Sequence, residues 1–247
     1  MVSGSGAMAL LYPSVLDFIA RLETQQSADD AWQLFMQFSA GFGLEFGGLA
    51  DLPGPGERLE DTTLCLSWPE EWRNRYFEKS YLRNDPAQLH LARSVDPYTW
   101  SETLACPDYT KSQRRIVHEA SEFSMKEGLL IPILGLGTGI AMISVAGSNR
   151  SLSLRERAEL HLAAVYTHAQ VRALSKRRVR ALPSLSVRER ECLQWAAAGK
   201  SDWEIGEILS ISQKTANAHI EHVKQKYRVS TRMLAVVYAL RCGAIHV

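Results

Sequence analysis

The chain has 247 residues, room for two domains of ordinary size, and its 46% hydrophobic and 22% charged content is that of a globular protein. No apolar run approaches the ~18 residues a membrane span needs, and Met1–Ala7 lacks the basic region and apolar core of a signal peptide, with Met8 a candidate natural start. The net charge of +1 hides an asymmetry: from Val171 onward fourteen Lys and Arg face six Asp and Glu, a net +8, which leaves −7 in the front part. An acidic front and a basic back predict two domains, the second one meeting a polyanion. Cys65, Cys106, Cys192 and Cys242 are scattered, with no CxxC pair, and read as reduced thiols of a cytoplasmic protein rather than a disulfide frame or zinc site.

In chain order, Pro13–Leu22 and Ala28–Ala40 carry apolar residues at three- and four-residue spacing and predict helices. Leu44–Leu52 and Thr62–Ser67 predict strands. A helix through Trp72 and Tyr76 follows, and the spacing of four puts both rings on one face. Asp85 precedes Pro86, which confines it to extended or turn geometry and stops any helix running in from the left. Two ring-borne donors and one fixed carboxylate suit a small ligand that has both carbonyls and an N–H. A helix from Pro86 to about Arg93, an extended piece Tyr98-Thr99-Trp100 and a helix Ser112–Phe123 come next. Leu129–Leu134 and Ile140–Ala146 are apolar strands joined by Gly135-Leu-Gly-Thr-Gly139. That glycine stretch reads as a hairpin turn, because strands flank it on both sides and no helix N-terminus follows to hold a phosphate.

Ser153-Leu-Arg-Glu156 is a capping box opening a helix to about Ser175, long enough to pack on its own sheet and against a second copy. Beyond Pro183 a helical unit begins, with S-x-x-E capping boxes at Ser186–Glu189 and Ser201–Glu204 and a left-handed cap expected at Gly199. Ser212 is expected to cap a helix Gln213–Tyr227, and Ser230 a last helix to about Cys242. A helix, a tight turn and a longer helix make a helix-turn-helix. On Gln213–Tyr227, Ala216, Ile220, Val223 and Tyr227 fall on one face, which must be core. The opposite side carries Lys214, Ala218 and Glu221, flanked by Asn217, Lys224, His219, His222 and Lys226. Lys214, Lys224 and Lys226 can neutralise phosphates, and Thr215 in the first turn can bond one. Asn217 suits adenine, Glu221 can accept from cytosine N4, and Ala218 leaves room for a thymine methyl. His219 and His222 lack a third ligand nearby, so no metal site is expected.

Leu185-Ser-Val-Arg-Glu-Arg-Glu, Ala198-Gly-Lys-Ser, Glu204-Ile and Ile211-Ser-Gln-Lys-Thr215 closely resemble the LuxR-type helix-turn-helix, with Ala216 where the family usually has Val. In front of it, Trp72, Tyr76, Asp85-Pro86, Trp100, Gly128 and Ser144 resemble, in order and spacing, the acyl-homoserine-lactone-binding domain of LuxR-type quorum-sensing regulators. The resemblance implies an α+β protein: an N-terminal α-β-α sandwich with an antiparallel sheet at 8–175 that binds ligand and dimerises, a linker at 176–184, and a four-helix DNA-binding domain at 185–247. It implies a lactone as ligand, with no cofactor. Asp85 would then accept from the ligand's amide N–H and Trp72 would donate to the lactone carbonyl. Tyr76 and Ser144 would hold the acyl carbonyl, and Trp100 and Trp68 would wall the site. The chain is similar to a rhizobial branch, some of whose members take aryl or branched acyl groups. The expected partner is an inverted-repeat DNA site, bound as a homodimer. A regulator that folds without lactone, or is antagonised by it, remains the alternative. An enzyme is not expected, since the seven histidines are dispersed and no GxSxG nucleophile occurs.

Overall fold

The structure is a computed structural model describing residues 14–52, 59–91, 93–135, 139–148, 151–175, 184–241 and 243–246. The described residues fall into two compact units, one built from residues within 14–175 and one that includes 184–246. The expected break at Pro183 and the centre of the Gly135–Gly139 turn lie outside the described residues.

The first unit begins with α1 (Val15–Glu23) and α2 (Ala28–Ala40), each with a serine N-cap. Then come β1 (Phe46–Asp51), a one-turn helix α3 (Leu59–Thr62), β2 (Thr63–Ser67), α4 (Glu70–Glu78), a 3-10 turn at Tyr81–Arg83 and α5 (Pro86–His90). The expected extended piece at Tyr98 shrinks to β3 (Tyr98–Thr99), and Trp100 instead opens a helix, α6 (Trp100–Ala105). The reason is local: the Thr99 hydroxyl accepts from Glu102 N, and the Glu102 carboxylate accepts from Thr99 N. The unit closes with α7 (Lys111–Ser121), β4 (Glu127–Gly135), β5 (Gly139–Gly147) and α8 (Leu154–Leu174).

The five strands form one sheet in the order β2-β1-β5-β4-β3. β1 pairs antiparallel with both β2 and β5, and β3 antiparallel with β4. Side chains alternate across the sheet, and this alternation organises the unit. Leu49, Leu129, Ile131, Ile133, Ala141, Ile143 and Val145 join Phe18, Leu22, Trp32, Phe35, Leu160 and Ala164 in one core beneath α1, α2 and α8. The intervening residues Gly48, Ala50, Met142 and Ser144 point to the opposite face, beneath α4 to α7. The result is an α-β-α sandwich. No helix among the described residues is long and apolar enough to cross a membrane.

The second unit holds α9 (Val187–Ala197), α10 (Asp202–Leu209), α11 (Gln213–Tyr227) and α12 (Arg232–Arg241). Both expected capping boxes form, and Gly199 sits at φ +82°. The α10–α11 turn is tight because position 206 has no side chain: a Cβ there would lie 2.8 Å from the Ile211 carbonyl oxygen. The last helix starts later than expected. Thr231, not Ser230, offers its hydroxyl to a backbone N–H, that of Leu234 at 3.1 Å.

Among the described glycines of the first unit, Gly147 makes a very close backbone approach, since a Cβ there would stand 2.1 Å from the carbonyl oxygen of Gly43. Gly147→Ala should therefore destabilise this unit by at least about 1–3 kcal/mol, the usual cost of overpacking. Urea unfolding followed by tryptophan fluorescence measures the loss.

Candidate functional site

The helix-covered face of the sheet and the helices above it surround about 390 Å³ of atom-free space, part of it open to solvent. Its lining includes all six expected residues, Trp68, Trp72, Tyr76, Asp85, Trp100 and Ser144. Each arrives by a local rule. Trp72 and Tyr76 are the two buried positions of α4, at 3% and 2% exposure. Pro86 occupies the first turn of α5, where its missing N–H costs nothing, so Asp85 becomes the N-cap. Asp85 is extended (φ −68°, ψ 115°) and its Oδ1 accepts from Ala87 N at 2.9 Å. Trp100 can lie against β4 because residue 128 is glycine, where a Cβ would stand 2.4 Å from the indole. Ser144 comes from the pocket-facing register of β5, opposite Gly48. Trp72, Tyr76 and Asp85 are buried, whereas Trp68, Trp100 and Ser144 are half-buried.

Asp85 is 8% exposed and its Oδ2 accepts from the Tyr76 hydroxyl at 2.8 Å. Burial pushes the Asp85 carboxyl up to about 6, against the opposing pull of Tyr76 and the amides of Ala87 and Gln88. Burial, then the neighbouring Asp85, hold the Tyr76 phenol well above its ordinary value, so it keeps its proton and donates. Two buried polar groups are thus paired in the cavity lining, and each carboxylate oxygen retains acceptor capacity.

A second set of charges fastens α4 to α7. The buried Glu119 takes the Tyr81 hydroxyl at 2.7 Å, Arg115 at 2.7 Å and Lys79 at 3.5 Å. Arg75 reaches Glu122 at 2.7 Å and lies over the Phe123 ring, which itself packs on Trp72. Burial raises the Glu119 carboxyl, but the donors around it outweigh that and hold it below the usual range. Sequence reasoning missed the wall that α7 supplies, Ile116, Val117 and Ala120, together with Met125 and Gln88. The apolar spacing on α7 marked a buried face without saying what it faced. Gln88 gave a weak signal, a polar residue one turn beyond Asp85.

In the second unit, Ala216, Ile220, Val223 and Tyr227 are all buried, as their spacing required. Lys214, Thr215, Asn217 and Ala218 are exposed. Several of the expected DNA-facing groups, exposed or not, are also bonded within the fold. Lys224 reaches Glu221 at 2.7 Å, Asn217 donates to Asp202 at 2.8 Å, and the Thr215 and Ser212 hydroxyls share a bond of 2.8 Å. Lys226, expected to meet a phosphate, instead donates to Glu189 at 2.6 Å and to the Ser184 carbonyl oxygen at 3.1 Å. Glu189 is 5% exposed; burial raises its carboxyl, and Lys226 with the Ser186 cap more than offsets this. An unpaired buried carboxylate would be costly, which is why the lysine turns inward.

The shift on Asp85 sets a pH dependence. Its carboxyl titrates near 6 when folded and near 3.8 when unfolded, so the folded state holds the extra proton in between. The stability this gives is fully present below the lower value and is lost as pH rises through the upper one. Asp85→Asn should remove that loss, worth on the order of 3 kcal/mol, and the difference between the two urea midpoints taken from about pH 4 to about pH 7 measures it.

Comparison with known proteins places this geometry. Residues 27–171 match the autoinducer binding domain, and 183–239 match the bacterial regulatory proteins of the luxR family. The chain is 35% identical over 226 residues to the transcriptional activator protein BjaR1 of Bradyrhizobium diazoefficiens, covering 92% of this chain and 93% of that one. It is 36% identical to the quorum sensing-dependent regulator RpaR of Rhodopseudomonas palustris, covering 80% and 81%. The crystal structure of Escherichia coli SdiA shares the fold, with a TM-score of 0.68 at 19% identity over 94% of this chain and 98% of that one. An autoinducer-binding sandwich followed by a helix-turn-helix, with relatives that are transcriptional regulators, means that the chain belongs to the LuxR family of quorum-sensing transcriptional regulators.

Proposed function

We propose that the first unit encloses an N-acyl- or aryl-homoserine lactone and that the bound, folded protein grips an inverted-repeat DNA site as a homodimer in the cytoplasm. One observation carries the lactone: a buried carboxylate, Asp85, held by Tyr76 and by its own helix cap, with Trp72 beside it in the same cavity. In this reading Asp85 accepts from the amide N–H, Trp72 Nε1 donates to the lactone carbonyl, and Ser144 serves the acyl carbonyl. Tyr76 takes the second place at that carbonyl, or keeps Asp85 oriented through the bond described above. Trp68 and Trp100 wall the site. The 8–175 and 185–247 segments work as ligand-binding and DNA-binding domains joined by 176–184.

Ligand coupling follows from mass action. Lactone at about 100 times its dissociation constant would stabilise the first domain by about 2.7 kcal/mol. A pair of recognition helices α11 set about 34 Å apart would read two half-sites one DNA turn from each other. Lys214 and Thr215 meet phosphates at the exposed start of α11. Asn217, Ala218, Glu221 and Lys224 lie over the bases, the paired ones after exchanging their partners within the protein for DNA.

Two measurements test this reading. A matching lactone should raise the melting temperature of the purified full chain. Asp85→Asn should weaken lactone binding about 10- to 100-fold, the loss of a charge-assisted hydrogen bond, while the helix-turn-helix stays folded by circular dichroism. Equal melting and equal operator affinity with and without every lactone would refute ligand control. Separately, Lys214→Ala should lower affinity for all DNA sequences alike and reduce the salt slope by about 1 in a fluorescence anisotropy titration.

A further inference from the structure

The cavity described above continues. A second hollow, about 340 Å³ of atom-free space part of which is open to solvent, adjoins it, lined by Gly48, Ala50, Leu66, Phe77 and Met142. Trp68, Ser144 and Gln88 belong to both, so they stand at the junction. At this junction the Gln88 Oε1 is buried and has no hydrogen-bond partner. Gln88 is one turn beyond Asp85 on α5, and the Tyr98 hydroxyl fixes that helix through the Ala87 carbonyl oxygen at 2.7 Å. A buried acceptor left without a donor is rare and costly. A methionine or leucine of similar volume would line an alkyl channel without that penalty.

We propose that Gln88 is a specificity residue that accepts a hydrogen bond from a hydroxyl on the acyl portion of the ligand. The ligand class is then a lactone with a hydroxylated acyl group, alkyl or aryl, rather than a bare hydrocarbon or keto chain. This rests on the lactone reading given above. With the amide anchored at Asp85, the acyl group leaves along α5 and must pass Gln88 to enter the second hollow. Beyond the junction the lining is mostly apolar, so the polar group is read at Gln88 and carbon fills the remainder.

The test uses the purified full chain and matched lactones: hydroxylated, keto and unsubstituted members of the hexanoyl, octanoyl and decanoyl series, and a hydroxyaryl lactone with its unsubstituted parent. Affinity is read by tryptophan fluorescence. The hydroxylated member of the best-binding set should bind about tenfold more tightly than its parent and its keto analogue. Gln88→Met should erase that preference by weakening the hydroxylated ligand while leaving the parent unchanged or tighter, with a ligand-free melting temperature at or above that of the unsubstituted chain showing that the variant is folded. Equal binding within every set, a keto preference, or a hydroxyl preference that survives in Gln88→Met would overturn the proposal while leaving the lactone reading standing. No binding of any lactone would overturn both.

Discussion

The bond from the Tyr76 hydroxyl to the Asp85 carboxylate is the constraint on which the first unit turns. It joins α4 to the start of α5. Both partners are buried, so neither can fall back on water, and each needs the other or a ligand group of the same kind. Asp85 also caps its own helix, which ties the direction of α5 to the orientation of the carboxylate. A change in what the carboxylate holds is therefore a change in how the helix sits. The Glu119 cluster on the outer side of α4 and α7 supplies the counterpart, a set of charge-assisted bonds that keeps the wall in place around the cavity.

The second unit uses charge differently. Its basic character is only partly available to a partner, because Lys226 neutralises Glu189 beneath the surface. Arg232 bonds Asp202, and Asn217 bonds the other oxygen of the same carboxylate, so α10, α11 and α12 meet at one acidic side chain. Net charge counted along a sequence cannot distinguish a lysine that holds a fold from one that meets a phosphate.

Much of this was legible before any coordinates. Capping boxes fixed the starts of α8, α9 and α10, since the sequence of a cap and its hydrogen bonds are nearly the same statement. The six expected pocket residues do line one cavity, and Pro86 did hold Asp85 extended. What escaped was set by competition between neighbours. Trp100 looked extended because of the aromatic run, and the Thr99–Glu102 cap overruled it. Ser230 and Thr231 both offer a capping hydroxyl on paper, and it is the second that accepts from Leu234 N. Gln88 and the α7 wall line the cavity only by virtue of what lies across a gap from them, and a linear pattern carries no record of gaps.

On β5 the residues at odd positions, Ile143 and Val145, are locked into the packed scaffold, while Met142 and Ser144 look into the hollow. A single strand thereby separates two kinds of selection at atomic spacing. Substitutions at the second set alter the lining of the hollow without disturbing the packed core, and substitutions at the first set do the reverse. A one-residue insertion in the strand would exchange the two sets at a stroke and abolish both properties together.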